Sequence, residues 1–177
     1  SSQRAMRVPR KAIGELVAFV AEAEGYPVAD ADIAVVDRGR IAELNRRYLR
    51  HAGATDVLSF DLSQGPARGL SVQIIVCGDV AVAEAAARNT TARRELLLYV
   101  VHGLLHVMGY EDQSVRGSVA MQARQEELLE RFEKRGQGGP NGKKPRTRTR
   151  TRTIGCRPVP TPASTGADSS TQRSQRS

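Results

Sequence analysis

The chain has 177 residues, of which 40% are hydrophobic, with a net charge of +8 and only two cysteines. This length and apolar content suit one domain with a sizeable core, and no apolar run approaches the ~18 residues of a membrane span. The cysteines lack a C-x-x-C pairing, which argues against a disulfide framework or a cysteine-based zinc knuckle. With no order of basic then apolar residues typical of a secretory signal, we expect a cytoplasmic protein without a membrane partner.

The apolar pattern predicts alternating helices and strands. In the first half, the predicted elements are a helix over 11–24, a strand over 33–36, a helix around 41–48 and a strand over 55–62. In the second half they are a strand over 72–82 with Gly78-Asp79 inside it, a helix over 83–88, a long apolar helix over 92–108 and a last helix over 118–133. This succession predicts an α+β domain.

A basic segment follows the last predicted helix. Residues 134–177 contain 11 Lys or Arg and one acidic residue, a net charge of +10, whereas residues 1–133 carry −2. The segment is rich in Gly, Pro, Ser and Thr, and Arg alternates with Thr from Arg146 to Arg152, so we expect disorder from a boundary near Gly136. Two roles remain open, an arm that binds RNA phosphates and a solvated extension without a role.

The long apolar helix ends in an arrangement typical of a zinc site. His102 and His106 are four residues apart, so both imidazoles lie on one helix face. Gly109 can take the left-handed conformation that ends a helix, and the following turn can bring Asp112 back toward the two rings. Two imidazoles and one carboxylate would leave a fourth position open, as in catalytic zinc sites. Two ordinary hydrogen-bonded histidines on a helix are the alternative interpretation.

Several segments resemble the YbeY-type endoribonucleases. Residues 102–110 match the family signature H-G-x-L-H-x-x-G-Y-D-H at every fixed position, and residues 44–48, 55–60 and 78–80 resemble the family's helix end, its T-D-V-L-S-F strand and its G-D-hydrophobic strand. The resemblance implies one α+β domain over 7–133, with a mixed sheet of about four strands, about five helices and a central helix that binds one zinc ion. It also implies cleavage of single-stranded RNA in ribosomal RNA maturation and ribosome quality control, with the ribosome or its small subunit as partner.

The chain departs from the family pattern in two places. The signature continues with Asp and His after Gly-Tyr, whereas this chain has Glu111 and Asp112, so Asp112 stands where the family has its third imidazole ligand. Zinc accepts carboxylate oxygen at a similar distance, and Glu111 is the alternative ligand if the turn is tighter. Family members often carry Arg after the aromatic equivalent to Tyr48, but here Leu49 follows and Arg50 comes next. We therefore take Arg50 as the candidate catalytic contact to phosphate.

Other functions are less compatible with these residues. Gly103 occupies the position of the general-base Glu in H-E-x-x-H proteases, which disfavours a zinc peptidase and is expected to leave space beside the metal. A non-catalytic RNA-binding or ribosome-binding protein with a degenerate metal site remains the second hypothesis. We expect His51 to be an exposed loop residue, and Asp56 and Asp79 to bind backbone groups at strand ends.

Overall fold

The computed structural model describes residues 7–48, 53–65, 69–111, 114–137 and 148–153. These residues form five helices and four strands, in the order α1 (Arg10–Glu24), β1 (Val28–Val36), α2 (Arg38–Tyr48), β2 (Val57–Asp61), β3 (Leu70–Cys77), α3 (Gly78–Ala87), α4 (Ala92–Val107), α5 (Val115–Gln137) and β4 (Arg148–Thr153). The predicted α+β domain with about four strands and five helices is confirmed. Within the described ranges, no helix has the length and apolar character needed to cross a membrane.

The four strands form one mixed sheet in the order β2-β3-β1-β4. Strand β3 pairs antiparallel with β2 and parallel with β1, and β4 pairs parallel with β1 along its other side. The centre of the sheet is apolar on both faces, because Ile33 and Ile74 point to one side and Ala34 and Ile75 to the other. This sheet therefore requires helices on both faces.

The helices divide unequally between the two faces. Helices α1, α4 and α5 share the larger core with Ile33 and Ile74, whereas α2 closes a smaller core with Ala34, Ile75 and Leu58. Helix α4 is the central helix, because it contacts β2, β3, α1, α3 and α5. Its buried run from Leu96 to Val101 accounts for the continuous apolar sequence there.

The segment after β3 differs from the prediction. A strand was expected to continue through Gly78-Asp79 to residue 82, but β3 ends at Cys77 and α3 begins at Gly78. Alanine-rich sequence follows, which favours a helix, and Asp79 lies in the first turn, where a negative charge is stabilising. The Asp79 carboxylate also accepts the backbone N–H of Arg38 at 3.0 Å, which joins the starts of α2 and α3.

Two stretches of the basic segment have regular structure where its composition predicted disorder. Helix α5 continues to Gln137, one residue beyond the predicted boundary, and residues 148–153 form β4. Composition alone did not reveal β4, because its stability depends on the unpaired edge of β1. Thr149 and Thr151 are half-buried, and β-branched residues suit such a strand. The remaining residues of the predicted tail lie outside the described part of the chain.

Candidate metal centre

The ends of helix α4 are set by local sequence. Thr91 begins the helix, since its side chain accepts the backbone N–H of Arg94 at 3.2 Å. Gly109 ends it with a φ of +94°, as the sequence predicted. The N–H groups of Gly109 and Tyr110 donate to the carbonyl oxygens of His106 and Leu105, both at 3.0 Å. These two hydrogen bonds form a Schellman motif, so the chain turns away directly after the second histidine.

His102 and His106 lie against each other near this end of α4. Their Nε2 atoms are 3.0 Å apart, and the two rings are tilted by 77° with centroids 4.6 Å apart. In a tetrahedral site with Zn–N bonds of ~2.0–2.1 Å, two nitrogen ligands are ~3.3 Å apart. The two Nε2 atoms are within hydrogen-bond distance of each other, and a separation larger by a few tenths of an ångström would match that of two ligands on one ion.

Gln125 on α5 contacts the other nitrogen of His102. The Nδ1–H of His102 donates to Gln125 Oε1 at 2.9 Å, and Gln125 is buried. A proton on Nδ1 makes Nε2 the unprotonated nitrogen of His102, which here hydrogen-bonds to His106 Nε2 and which is the nitrogen that a metal requires. We did not identify Gln125 from the sequence, although an amide one turn after Met121 in the apolar stripe of α5 was a usable signal.

Gly103 plays a packing role that differs from the expected one. It was expected to leave space beside the metal, but a Cβ at this position would lie 3.0 Å from Ile74 Cγ2 and 3.2 Å from Val57 Cγ2. The missing side chain thus allows α4 to approach β2 and β3 closely. This packing keeps the helix, and with it both histidines, at a fixed distance from the sheet.

A cavity of about 220 Å³ opens beside His102. It is lined by Asp56, Arg88, Leu98, Tyr99, His102, Ser118, Met121, Gln122 and Gln125. Burial, with smaller contributions from Asp56 and Glu95, raises the pKa of the Tyr99 hydroxyl far above its usual range, so this group stays protonated. Arg88 forms an ion pair with Glu84 at 3.2 Å. The cavity wall beside His102 therefore carries hydrogen-bond donors and a partly neutralised cation.

Other predicted site residues are distributed as follows. Arg50, His51 and Asp112 lie outside the described residues, so their roles remain predictions. Glu111 is exposed, and among the described residues no third His, Cys, Asp or Glu joins the histidine pair in a metal-binding group, which argues against Glu111 as the ligand. Asp56 bonds backbone as expected, because its Oδ1 accepts the N–H of Val57 at 2.9 Å.

The loop between α4 and α5 is tied to the rest of the domain. The Tyr110 hydroxyl donates to Glu24 Oε2 at 2.8 Å, and Arg124 on α5 donates to Glu24 Oε1 at 2.9 Å. Glu24 is the last residue of α1, so three elements meet at its carboxylate. These contacts fix the start of the segment that leads to Asp112.

Comparison with known proteins identifies the family. A family model described as Endoribonuclease YbeY matches residues 2–133. The chain belongs to the YbeY family of endoribonucleases, which are hydrolases that act on RNA. It is 34% identical over 121 residues to the Endoribonuclease YbeY of Salinibacter ruber, covering 64% of this chain and 77% of that protein. It is 37% identical over 133 residues to that of Acidothermus cellulolyticus, covering 67% and 81%.

The fold also resembles a solved structure. The solution structure of TM1509 from Thermotoga maritima aligns with a TM-score of 0.52 and 27% identity, over 72% of this chain and 85% of that one. The family match ends at residue 133, so β4 lies beyond the region that the family model describes.

Proposed function

We propose that this protein is a zinc-dependent endoribonuclease that cuts single-stranded RNA during ribosomal RNA maturation and ribosome quality control in the cytoplasm. The observation that carries the proposal is the histidine pair, whose Nε2 atoms are 3.0 Å apart in a chain of the YbeY family. Family membership supports RNA as the substrate class. The metal, the ribosomal context and the location are the further steps that experiment must test.

The residues present fit a single zinc ion. His102 and His106 would supply two nitrogen ligands, and Asp112 is the proposed third ligand because it follows Gly109 at the position where the family has an imidazole. Three protein ligands leave one coordination position open, which distinguishes a catalytic from a structural site. When bound, zinc in such a site supplies an acidified water or acts as a Lewis acid toward a phosphoryl oxygen.

The protein groups around the pair have defined tasks. Gln125 holds the His102 ring through its Nδ1–H, and the buried helix α4 holds the backbone of both histidines. Because residue 103 is glycine, the helix lacks the general-base carboxylate of H-E-x-x-H peptidases, which supports phosphodiester over peptide hydrolysis. Arg50 is the proposed contact to the scissile phosphate, since a guanidinium binds phosphate oxygens in a bidentate manner.

Metal analysis combined with an RNA cleavage assay tests the proposal. The purified full chain should contain about one zinc per molecule and cleave a single-stranded ribosomal RNA fragment. A chelator should stop cleavage, and added zinc should restore it. RNA binding without cleavage in the zinc-loaded protein would instead favour the non-catalytic alternative.

Substitution of the two acidic residues tests the third ligand. Asp112→Ala should lose most zinc and activity, whereas Asp112→His should retain zinc because imidazole is an equivalent ligand. Glu111→Ala is the matched control, since Glu111 is an exposed neighbour, and it should leave metal content unchanged. Full zinc occupancy in folded Asp112→Ala would contradict the proposed ligand set.

A further inference from the structure

Strand β4 displays a regular row of cations. Its arginines, Arg148, Arg150 and Arg152, alternate with threonines and are exposed. We call these three residues the arginine row. The threonines face the opposite side, where Thr149 Cβ lies 3.9 Å from the position that a Cβ on Gly14 of α1 would occupy. Alternate residues on a strand are ~6.6–6.8 Å apart and point to the same face, so the row is straight and evenly spaced.

Within the part of the chain that the structure describes, the arginine row lies on the half of the sheet face that α2 leaves uncovered. Helix α2 contacts β2 and β3 on this face, whereas α1 contacts β4 from the other face. In the paired register, Arg150 lies beside Asp32 of β1, and Asp32 lies beside Gln73 of β3. The uncovered half is therefore polar, which suits a hydrated, charged ligand better than an apolar partner.

The three arginines differ in their contacts. Arg152 Nη2 lies 2.6 Å from Asp32 Oδ2, which also accepts the side-chain amide of Gln73 at 3.3 Å. Within the described residues, neither Arg148 nor Arg150 has an ion-pair partner, although exposed Asp30 is the register neighbour of Arg148. Arg152 thus fastens β4 to the sheet, whereas Arg148 and Arg150 keep their guanidinium groups available to an anion.

We propose that Arg148 and Arg150 bind successive phosphates of single-stranded RNA on the half of the sheet face that α2 leaves uncovered. This inference rests on the proposed function for the identity of the ligand. The separation of the two arginines is comparable to that of neighbouring phosphates in an extended strand, and each guanidinium can bind a phosphate with two hydrogen bonds. The row contains no aromatic side chain for base stacking, so binding is expected to be independent of sequence and sensitive to salt.

The row is on the opposite face of the sheet from α4 and its histidine pair. One RNA molecule could therefore contact both sites only by passing around the edge of the sheet that β4 forms. Such a contact would raise the local concentration of RNA at the metal centre without contributing to the chemistry. Affinity and cleavage should consequently respond to different substitutions.

Fluorescence anisotropy with a labelled oligouridylate of about 15 nucleotides tests this site. The full chain and R148Q/R150Q are titrated at several salt concentrations in the presence of EDTA, so the result does not depend on metal or on cleavage. Loss of two phosphate contacts should weaken binding about threefold to tenfold at low salt and reduce the slope of log K against log salt by ~1.4. R148K/R150K retains both charges and should keep the slope.

The matched control is R10Q/R93Q, which removes two exposed arginines from helices that pack on the other face. It should leave the slope within a few tenths of that of the unmodified chain. An equal loss of slope in both double variants would assign the effect to net charge and overturn the proposal. An unchanged slope in R148Q/R150Q would also overturn the proposal. So would a variant that binds RNA normally and differs only in its self-association, measured by sedimentation, or in its binding of an acidic peptide. If R148Q/R150Q alters the slope but the unmodified chain shows no zinc-dependent cleavage, the proposed function is refuted and the RNA-binding site on β4 is not.

Discussion

The histidine pair of α4 and the arginine row of β4 are both sets of polar side chains that a regular backbone aligns, but the two are stabilised differently. Every residue from Glu95 to Val101 is buried, and the hydrogen bonds of α4 are internal to the helix. Strand β4 has no internal hydrogen bonds and is ordered through its pairing with β1, its packing on α1 and the Arg152–Asp32 ion pair. A periodic sequence therefore determines a functional face directly in a helix, whereas in an edge strand it does so only once a partner is available.

The same comparison separates two kinds of vulnerability. Substitutions at α4 are expected to disturb metal binding or the core, because the helix contacts five other elements. Substitutions at β4 are expected to release one edge strand and leave the core intact. The following predictions test this separation, beginning with the largest expected effect.

His106→Ala removes one of the three proposed zinc ligands. We therefore expect the loss of most zinc and a decrease of at least ~100-fold in the rate of RNA cleavage. Elemental analysis and a single-turnover cleavage assay measure the two effects. Gln122→Ala, which changes the adjacent cavity without touching either histidine, is the control and should retain its metal. Normal zinc content in the His106 variant would show that the pair is structural.

Gly103→Val places methyl groups against Ile74 and Val57, where a Cβ alone would already be 3.0 and 3.2 Å away. Overpacking of this kind lowers the free energy of unfolding by ~1–3 kcal/mol. Urea denaturation measures it, with Gly136→Val as control because a Cβ there meets no atom within 4 Å. Equal stability of the two variants would mean that α4 does not need its close approach to the sheet.

Gln125→Leu removes the hydrogen-bond acceptor of His102 while keeping a similar volume in a buried position. Loss of such a partner typically weakens metal binding by 10- to 100-fold, about 1.4–2.7 kcal/mol. Competition with a chromophoric chelator gives the affinity. Gln125→Glu keeps an acceptor and should bind zinc normally, so weakened binding in both variants would indicate a packing effect.

Asp32→Ala removes the carboxylate that Arg152 and Gln73 share. The pair is partly exposed, with side-chain exposures of 46% and 23%, so we expect the opening free energy of β4 to fall by only ~0.5–1 kcal/mol. Hydrogen exchange should accelerate in β4 and stay unchanged in α4. Glu127→Ala, which breaks exposed pairs on α5, is the control. Unchanged exchange in β4 would show that backbone pairing and packing on α1 hold the strand without the ion pair.

Local sequence was sufficient to predict helices α1, α2 and α4, because the boundaries of these helices depend on nearby residues. Gly25 ends α1 with a positive φ of 71°, Thr91 begins α4, and Gly109 ends it, the last of these as predicted. Spacing likewise placed His102 and His106 on one face, since the helical period determines it. The family signature extended this reading to an RNA hydrolase, and the family match confirmed that class.

Contacts between residues distant in sequence decided the features that local sequence did not predict. Gln125 reaches His102 across 23 residues of sequence, and Gly103 is required by side chains of β2 and β3. The polar composition of the Arg-Thr repeat predicted disorder, because the free edge of β1, with which the repeat pairs, is not visible in sequence. A strand ordered by a partner more than 100 residues away depends on tertiary structure for its existence, and so does the face on which its arginines lie.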